Sequence, residues 1–141
     1  VSPKSKIINL NQTVFPKDNF ENLDFISQLK ISNDYFLSDR FVQTLILLEK
    51  IDQNELSINQ KRNLQKKYVD SLFNLGDYNK VVDTLRGLDS LDEELLFLLG
   101  FSLIKTGNKK DAIKVYNKIL IEYPEGDYKN LAKLQVRALS R

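Results

Sequence analysis

An apolar stretch in the second half of the chain, residues 95–124, constrains the fold most, because a glycine-containing turn divides it into two helical patterns. Before the turn at residues 106–108, apolar residues recur every three or four positions, which predicts a helix with one buried face. After the turn the same period returns, and Pro124 predicts the end of that helix because proline has no backbone N–H to donate. Gly100 lies in the first apolar stripe, where the missing side chain allows a neighbouring helix to approach closely. The stretch therefore predicts two short antiparallel helices.

The order of residue types in this stretch resembles a tetratricopeptide repeat, in which bulky, small, aromatic and proline positions recur at fixed spacings. The resemblance covers residues 93–126 and departs from the usual pattern where Leu96 replaces Trp, Leu103 replaces Tyr and Ile119 replaces a small residue. It implies an all-α fold in which antiparallel helical hairpins stack into a short superhelix. The positions that the resemblance assigns to packing here are Leu96, Leu99, Gly100, Leu103, Gly107, Ala112, Tyr116, Ile119 and Pro124.

A weaker copy of the same pattern precedes this stretch, over residues 62–92. Gly76 lies 31 residues before Gly107, and Leu72 falls on a packing position of the repeat. The family period is about 34 residues. We therefore expect the second helix of the weaker copy, or its exit loop near Gly87, to be shortened.

Capping and helix-breaking residues predict about seven helices in a single domain that follows an extended arm. The arm, residues 1–17, contains two prolines and no long helical or strand period. The last helix has polar residues, Asn130 and Lys133, where a further repeat would stack, which is typical of the end of a repeat array. The predicted domain covers residues 18–141 and divides into a TPR-like helix pair at 18–52, a degenerate repeat at 57–88, a repeat at 91–124 and a capping helix at 127–140.

Three helix starts are predicted from short polar signals. A Ser-Asn-Asp run at residues 32–34 predicts that the second helix covers residues 35–51. Ser57 is followed three residues later by a glutamine, and Ser90 is followed three residues later by Glu93, which is the spacing of a capping box.

The sequence has no Cys and no His, which removes thiolate chemistry, the commonest general base and the commonest metal ligand. Its glycines are isolated and do not form a phosphate-binding motif. We therefore expect no cofactor, no metal and no enzymatic activity. The formal net charge of +2 is too small to imply a polyanionic partner, and no apolar run approaches the about 20 residues of a membrane-spanning helix.

The chain begins at Val1 and contains no Met, which predicts that it is a piece of a longer protein. Its richness in Lys and Asn favours a bacterial source. Residues 123–128 also resemble the joint between repeats in bacterial envelope TPR proteins, which favours the periplasm or cell envelope over the cytoplasm.

The resemblance implies a protein-binding surface, because the first helix of each TPR hairpin lines a concave side that binds peptides or partner helices. Phe97 and Phe101 lie one turn apart, on a face distinct from the packing positions, and two such rings need a partner. The arm, the helices before residue 52 or another protein could cover them. The residues that the resemblance assigns to the binding groove are Lys66, Asp70, Phe73, Asn74, Glu94, Phe97, Phe101, Ile104, Lys105, Tyr128 and Leu131.

The nature of the ligand follows from a mismatch with one TPR subclass, which grips the C-terminal carboxylates of chaperones. Lys66 matches a lysine of that clamp, but Asp70 and Leu98 stand where asparagines are needed. An acidic side chain in the clamp would repel a carboxylate. We therefore expect an apolar peptide or amphipathic helix of a partner protein.

Two other functions stay open at this stage. The apolar helix at residues 41–51 could join copies of the chain into a homo-oligomer. Lys110, Lys114 and Lys118 form a basic stripe at helical spacing, which could bind nucleic acid or anionic lipid, although no aromatic or arginine side chain interrupts it.

Overall fold

The computed structural model describes residues 20–88 and 90–141, so the predicted arm at residues 1–17 lies outside the described residues. Over the described ranges the chain forms seven α-helices, two short 3₁₀ turns and no strand, which confirms the predicted all-α fold. The α-helices are α1 (Phe25–Leu37), α2 (Phe41–Glu49), α3 (Ile58–Asn74), α4 (Tyr78–Arg86), α5 (Glu93–Lys105), α6 (Lys109–Glu122) and α7 (Lys129–Leu139), and the 3₁₀ turns are Phe20–Asn22 and Gln53–Glu55.

The helices group into two compact units, one ending at Leu75 and the other starting at Gly76. In the first unit α1 packs on α2 and α2 packs on α3, while in the second unit α4, α5, α6 and α7 each pack on the next. The division between units falls inside the predicted degenerate repeat at residues 57–88. That repeat, like the single-domain organisation, stays a prediction.

The first break between helices lies at residues 38–40, so the predicted helix start at residues 32–34 is wrong. Ser32 lies inside α1, because its hydroxyl donates to the backbone oxygen of Gln28 at 2.8 Å instead of capping a new helix. α1 ends where Asp39 adopts a left-handed φ of 59°, a conformation that stops a helix. The predicted helix at residues 41–51 is therefore the shorter α2.

The core of the first unit forms where α1 and α2 meet the start of α3. Gln28 in α1 is buried, and its amide donates to the backbone oxygen of Phe20 at 2.8 Å, which ties the first 3₁₀ turn to the helix. The buried apolar cluster that this arrangement creates consists of Phe20, Leu47, Leu48, Ile51, Leu56 and Leu64.

One of the two predicted capping boxes is present and the other is wrong. The Ser57 hydroxyl accepts from the backbone N–H of Gln60 at 3.1 Å, and the Gln60 side chain accepts in return from the N–H of Ser57 at 2.9 Å. At α5 the cap is Asp92, whose carboxylate accepts from the N–H of Leu95 at 2.9 Å. Ser90 lies two residues too early, because α5 begins at Glu93.

Two glycines close the turns before α4 and α6. Gly76 has a φ of 76° and Gly107 a φ of 83°, in the left-handed region that glycine enters without steric cost. α4 has nine residues whereas α6 has 14. The shorter α4 agrees with the expected shortening of the weaker copy near Gly87, while that copy itself stays a prediction.

The last helix, α7, begins at Lys129, two residues later than predicted. Asn130 and Lys133 are exposed, as expected of positions where a further repeat would stack. Leu134, also on α7, is 58% exposed. The face of α7 that packs inward is anchored by Ala132, which is fully buried.

Candidate functional site

The hairpin of α5 and α6 is built around the contact between Gly100 and Tyr116. A Cβ atom at Gly100 would lie 2.9 Å from Cζ of the Tyr116 ring, closer than real side chains approach. The ring is fully buried, and burial raises the pKa of Tyr116 to about 12 because the phenolate would lose its hydration. Its hydroxyl has no hydrogen-bond partner among the described residues. Tyr116 therefore packs as a large apolar side chain, and its ring fits because Gly100 has no side chain.

The leucine, isoleucine and alanine positions that the repeat pattern assigns to packing are buried as well, whereas Gly76 and Gly107 are exposed in their turns. The buried positions occupy one side of α5 and the facing side of α6, and Leu72 on α3 in the first unit is also buried. Pro124 is exposed, directly after the C-terminal cap of α6 at Tyr123. The buried residues of this set in the second unit are Leu96, Leu99, Gly100, Leu103, Ala112, Tyr116 and Ile119.

Phe97 lies on the neighbouring side of α5 and is half-buried. Its ring stacks on that of Tyr128, with centroids 4.6 Å apart and planes 27° from parallel. It also makes an edge contact with Tyr116, at 6.1 Å between centroids. Phe97 therefore joins the buried core of the hairpin to the start of α7.

Phe101, one turn further along α5, is half-buried against the first residue of α4. Its ring centroid lies 5.9 Å from that of Tyr78, and the ammonium of Lys105 lies 5.3 Å from the ring centroid, in cation–π range. We call Tyr78, Phe97, Phe101 and Tyr128 the aromatic face. Tyr78 is the member that the sequence analysis missed, since no position of the repeat pattern marks it.

A carboxylate from α5 links the aromatic face to the segment before α7. Glu93 accepts from the backbone N–H of Asp127 at 3.1 Å and from that of Tyr128 at 3.2 Å. Close by in the chain, the Tyr123 hydroxyl donates to the backbone oxygen of Leu91 at 3.4 Å. The beginning of α5 is thus bonded to the chain that leaves α6.

Comparison with known proteins identifies the hairpin. A family model described as tetratricopeptide repeat matches residues 94–126. This segment is similar to a tetratricopeptide repeat. No curated protein matches the chain, and no solved structure does. The match confirms the predicted repeat at its central helices, α5 and α6.

A tetratricopeptide repeat indicates a protein–protein interaction module in general, and the repeat family is generally non-enzymatic. The described residues include no group of three or more metal-ligating side chains. Among the same residues, no helix combines the length and the apolar character that crossing a membrane requires.

The groove residues predicted on the repeat lie along α5 and around the start of α7. Glu94 and Ile104 are half-buried, and Lys105 is exposed. Leu131 on α7 is 46% exposed. Together with Phe97, Phe101 and Tyr128, all of these residues belong to the second unit. The structure brings Phe97 and Tyr128 into direct contact.

The remaining groove residues belong to α3 of the first unit and are described separately. Lys66, Asp70 and Phe73 are half-buried. Asn74 is exposed, and its side-chain amide donates to the backbone oxygen of Asp70 at 2.7 Å. Leu98, which stands where a carboxylate clamp needs an asparagine, is buried in the second unit at 7% exposure.

Proposed function

We propose that the chain is a non-enzymatic protein-interaction module whose tetratricopeptide repeat binds an apolar peptide or amphipathic helix of a partner protein along α5. The observation that carries this proposal is the aromatic face. Phe97 and Phe101 follow one another by one helical turn, and the tyrosines beside them leave both residues partly exposed. Partly exposed aromatic side chains next to a filled core are typical of binding surfaces.

The spacing of the two phenylalanines favours a helical ligand. Residues at i and i+4 lie on the same side of a helix, so the two phenylalanines place apolar area one turn apart on α5. An amphipathic helix can lay its own apolar face on such a side. Glu94 lies in the first turn of α5 and Lys105 in its last turn. These opposite charges would orient the ligand, with its basic end near Glu94 and its acidic end near Lys105.

The proposal also includes the predicted groove residues of the first unit. Phe73 is the half-buried phenylalanine among them, and Lys66, Asp70 and Asn74 place polar groups along the same helix, α3. We expect them to contact the partner as well, with Phe73 contributing apolar area and Lys66 contributing charge.

Site-specific photo-crosslinking tests where the partner binds. A benzophenone amino acid placed at Phe101 or Ile104, on α5, is expected to crosslink one and the same protein from native cell extract. The matched control position is Lys114 on α6, which is exposed. Crosslinks that appear equally at position 114, or at none of the three positions, would contradict binding along α5.

A pair of substitutions tests the energetic part of the proposal. Phe101→Ala removes a partly exposed ring and should weaken capture of the crosslinked partner by at least about tenfold, which is about 1.4 kcal/mol. Ile121→Ala is the control, because Ile121 is apolar, 78% exposed and on α6. Circular dichroism should show unchanged helicity for both variants.

The double variant Phe97→Ala with Phe101→Ala should abolish capture, but it is the less specific test. Phe97 touches the buried Tyr116 ring, so its removal also loosens the core. If Phe101→Ala captures the partner as well as the wild type does, the proposal is contradicted, irrespective of the result for the double variant.

The lysine stripe supports a second candidate function, because Lys110, Lys114 and Lys118 are all exposed on α6. Binding of nucleic acid or anionic lipid through this stripe would weaken steeply with salt. If partner capture stays constant between low and physiological salt and the protein binds no polyanion, the function of the lysine stripe is excluded and only the protein-binding function remains.

A further inference from the structure

We infer that Glu93 is a positioning residue that holds Tyr128 over Phe97 and so shapes the aromatic face, an inference that rests on the proposed function. Its two carboxylate oxygens bond to two consecutive backbone N–H groups, those of Asp127 and Tyr128. Both groups precede the first turn of α7, where backbone donors lack partners within the helix. A charged acceptor there forms strong hydrogen bonds and interacts favourably with the helix dipole.

The Glu93 carboxylate occupies the space next to the backbone of Gly126 that a side chain at residue 126 would need. A Cβ atom at residue 126 would overlap the carboxylate carbon and both of its oxygens. The φ angle of Gly126 lies outside the left-handed region, so the backbone there does not itself require glycine. The steric demand at residue 126 therefore comes from Glu93.

The consequence for the aromatic face follows from how close Tyr128 lies to the bonded groups. The N–H that Glu93 holds is that of Tyr128 itself, and the ring of the same residue stacks on Phe97 at 4.6 Å. A shift of the backbone at residue 128 moves this ring with it. Glu93 thereby governs how much of Phe97 the Tyr128 ring covers.

The helix itself has a separate attachment, so loss of Glu93 is expected to release the ring and leave α7 in place. Ala132 is fully buried, and α7 packs on α6. The Glu93 bond reaches Asp127, 34 residues further on, which is the usual length of one repeat. The carboxylate at the start of this repeat thus organises the start of the segment that follows.

A double-mutant cycle tests the coupling between residues 93 and 126. Glu93→Ala and Gly126→Ala should each lower the thermal midpoint and shift the ring-proton NMR signals of Phe97 and Tyr128. They should also speed hydrogen exchange of the Asp127 and Tyr128 amides. Adding Gly126→Ala to Glu93→Ala should cause no further loss, because the new methyl group enters the space that the carboxylate has left. Glu122→Ala, at the exposed end of α6, is the control and should change none of these signals.

Additive losses in the double variant would overturn the steric coupling. Unchanged Phe97 and Tyr128 ring signals in Glu93→Ala would overturn the positioning role, even if that variant were less stable. These measurements need no partner, so they judge Glu93 independently of the proposed function.

The crosslinking assay connects the two ideas and separates their failures. With benzophenone at position 101, Glu93→Ala should reduce the crosslink yield from native extract at least threefold. If the wild type gives no crosslink there, the proposed function fails while the NMR result on Glu93 stands. If the wild type crosslinks and Glu93→Ala crosslinks equally well, the positioning role in binding fails and the proposed function stands.

Discussion

At the scale of single residues, the sequence predicted that a neighbouring helix approaches closely at Gly100, and the structure places the Tyr116 ring at that point. The tyrosine ring occupies the space that a side chain at residue 100 would fill, so each residue explains the other. The cost of this arrangement is a buried hydroxyl without a partner among the described residues. Burying a hydroxyl without a hydrogen bond is unfavourable.

Tyr116→Phe is therefore expected to raise the free energy of unfolding by up to about 1 kcal/mol, since it removes a buried polar atom and keeps the ring. Urea unfolding followed by circular dichroism measures this. A loss of more than about 1 kcal/mol would show that the hydroxyl makes a hydrogen bond.

The same substitution should change how stability depends on pH. In the folded protein the pKa of Tyr116 is raised to about 12 from an ordinary value near 10. The folded state therefore holds the phenolic proton of Tyr116 more tightly than the unfolded state does. The resulting contribution to the free energy of unfolding is complete below pH 10 and is lost as the pH rises towards 12. Unfolding midpoints measured across that range should fall less steeply for Tyr116→Phe than for the wild type.

At the scale of helices, the structure shows which of several similar polar residues actually caps a helix. Both Ser90 and Asp92 are cap-forming residues, but only Asp92 bonds to the N–H of Leu95. Which one acts depends on where α5 starts, and its packing against α4 and α6 sets that start. Ser32 illustrates the same ambiguity, because serine within a helix bonds back to the preceding turn as readily as it caps a new one.

Asp92→Ala should lower the free energy of unfolding by about 1 kcal/mol, the typical value of an N-cap. Ser90→Ala is the matched control and should change it by less than about 0.5 kcal/mol. Chemical denaturation of the two variants side by side makes the comparison. A larger loss of stability for Ser90→Ala than for Asp92→Ala would contradict this assignment and support the predicted capping box of Ser90 and Glu93.

At the scale of the whole molecule, the exposed apolar residues bear on whether copies of the chain associate. The homo-oligomer hypothesis requires an available apolar face on α2. Yet Thr44, Leu47 and Leu48 are buried, and the other apolar side chains of α2 are half-buried. Within residues 20–88 and 90–141, the large apolar side chains that are more than 40% exposed lie outside α2.

We therefore expect the protein to be a monomer in light scattering up to high concentration. A mass that doubles with concentration would favour the homo-oligomer instead. Val42→Asp, which places a charge on the half-buried side of α2, would then be expected to return the mass to that of one chain, whereas Ile121→Asp on α6 would not.

The sequence alone determined the all-α fold, the hairpin of α5 and α6, and the side of these two helices that is buried. These features follow from local periodicity and from glycine and proline positions, which act within a few residues of one another. The tertiary structure decided which helix start is used, which tyrosines meet Phe97 and Phe101, and that the Glu93 carboxylate seats beside Gly126. The aromatic contacts and the contact of Glu93 with Gly126 join residues 19 to 33 positions apart, so they depend on the relative placement of several helices, which no local pattern encodes.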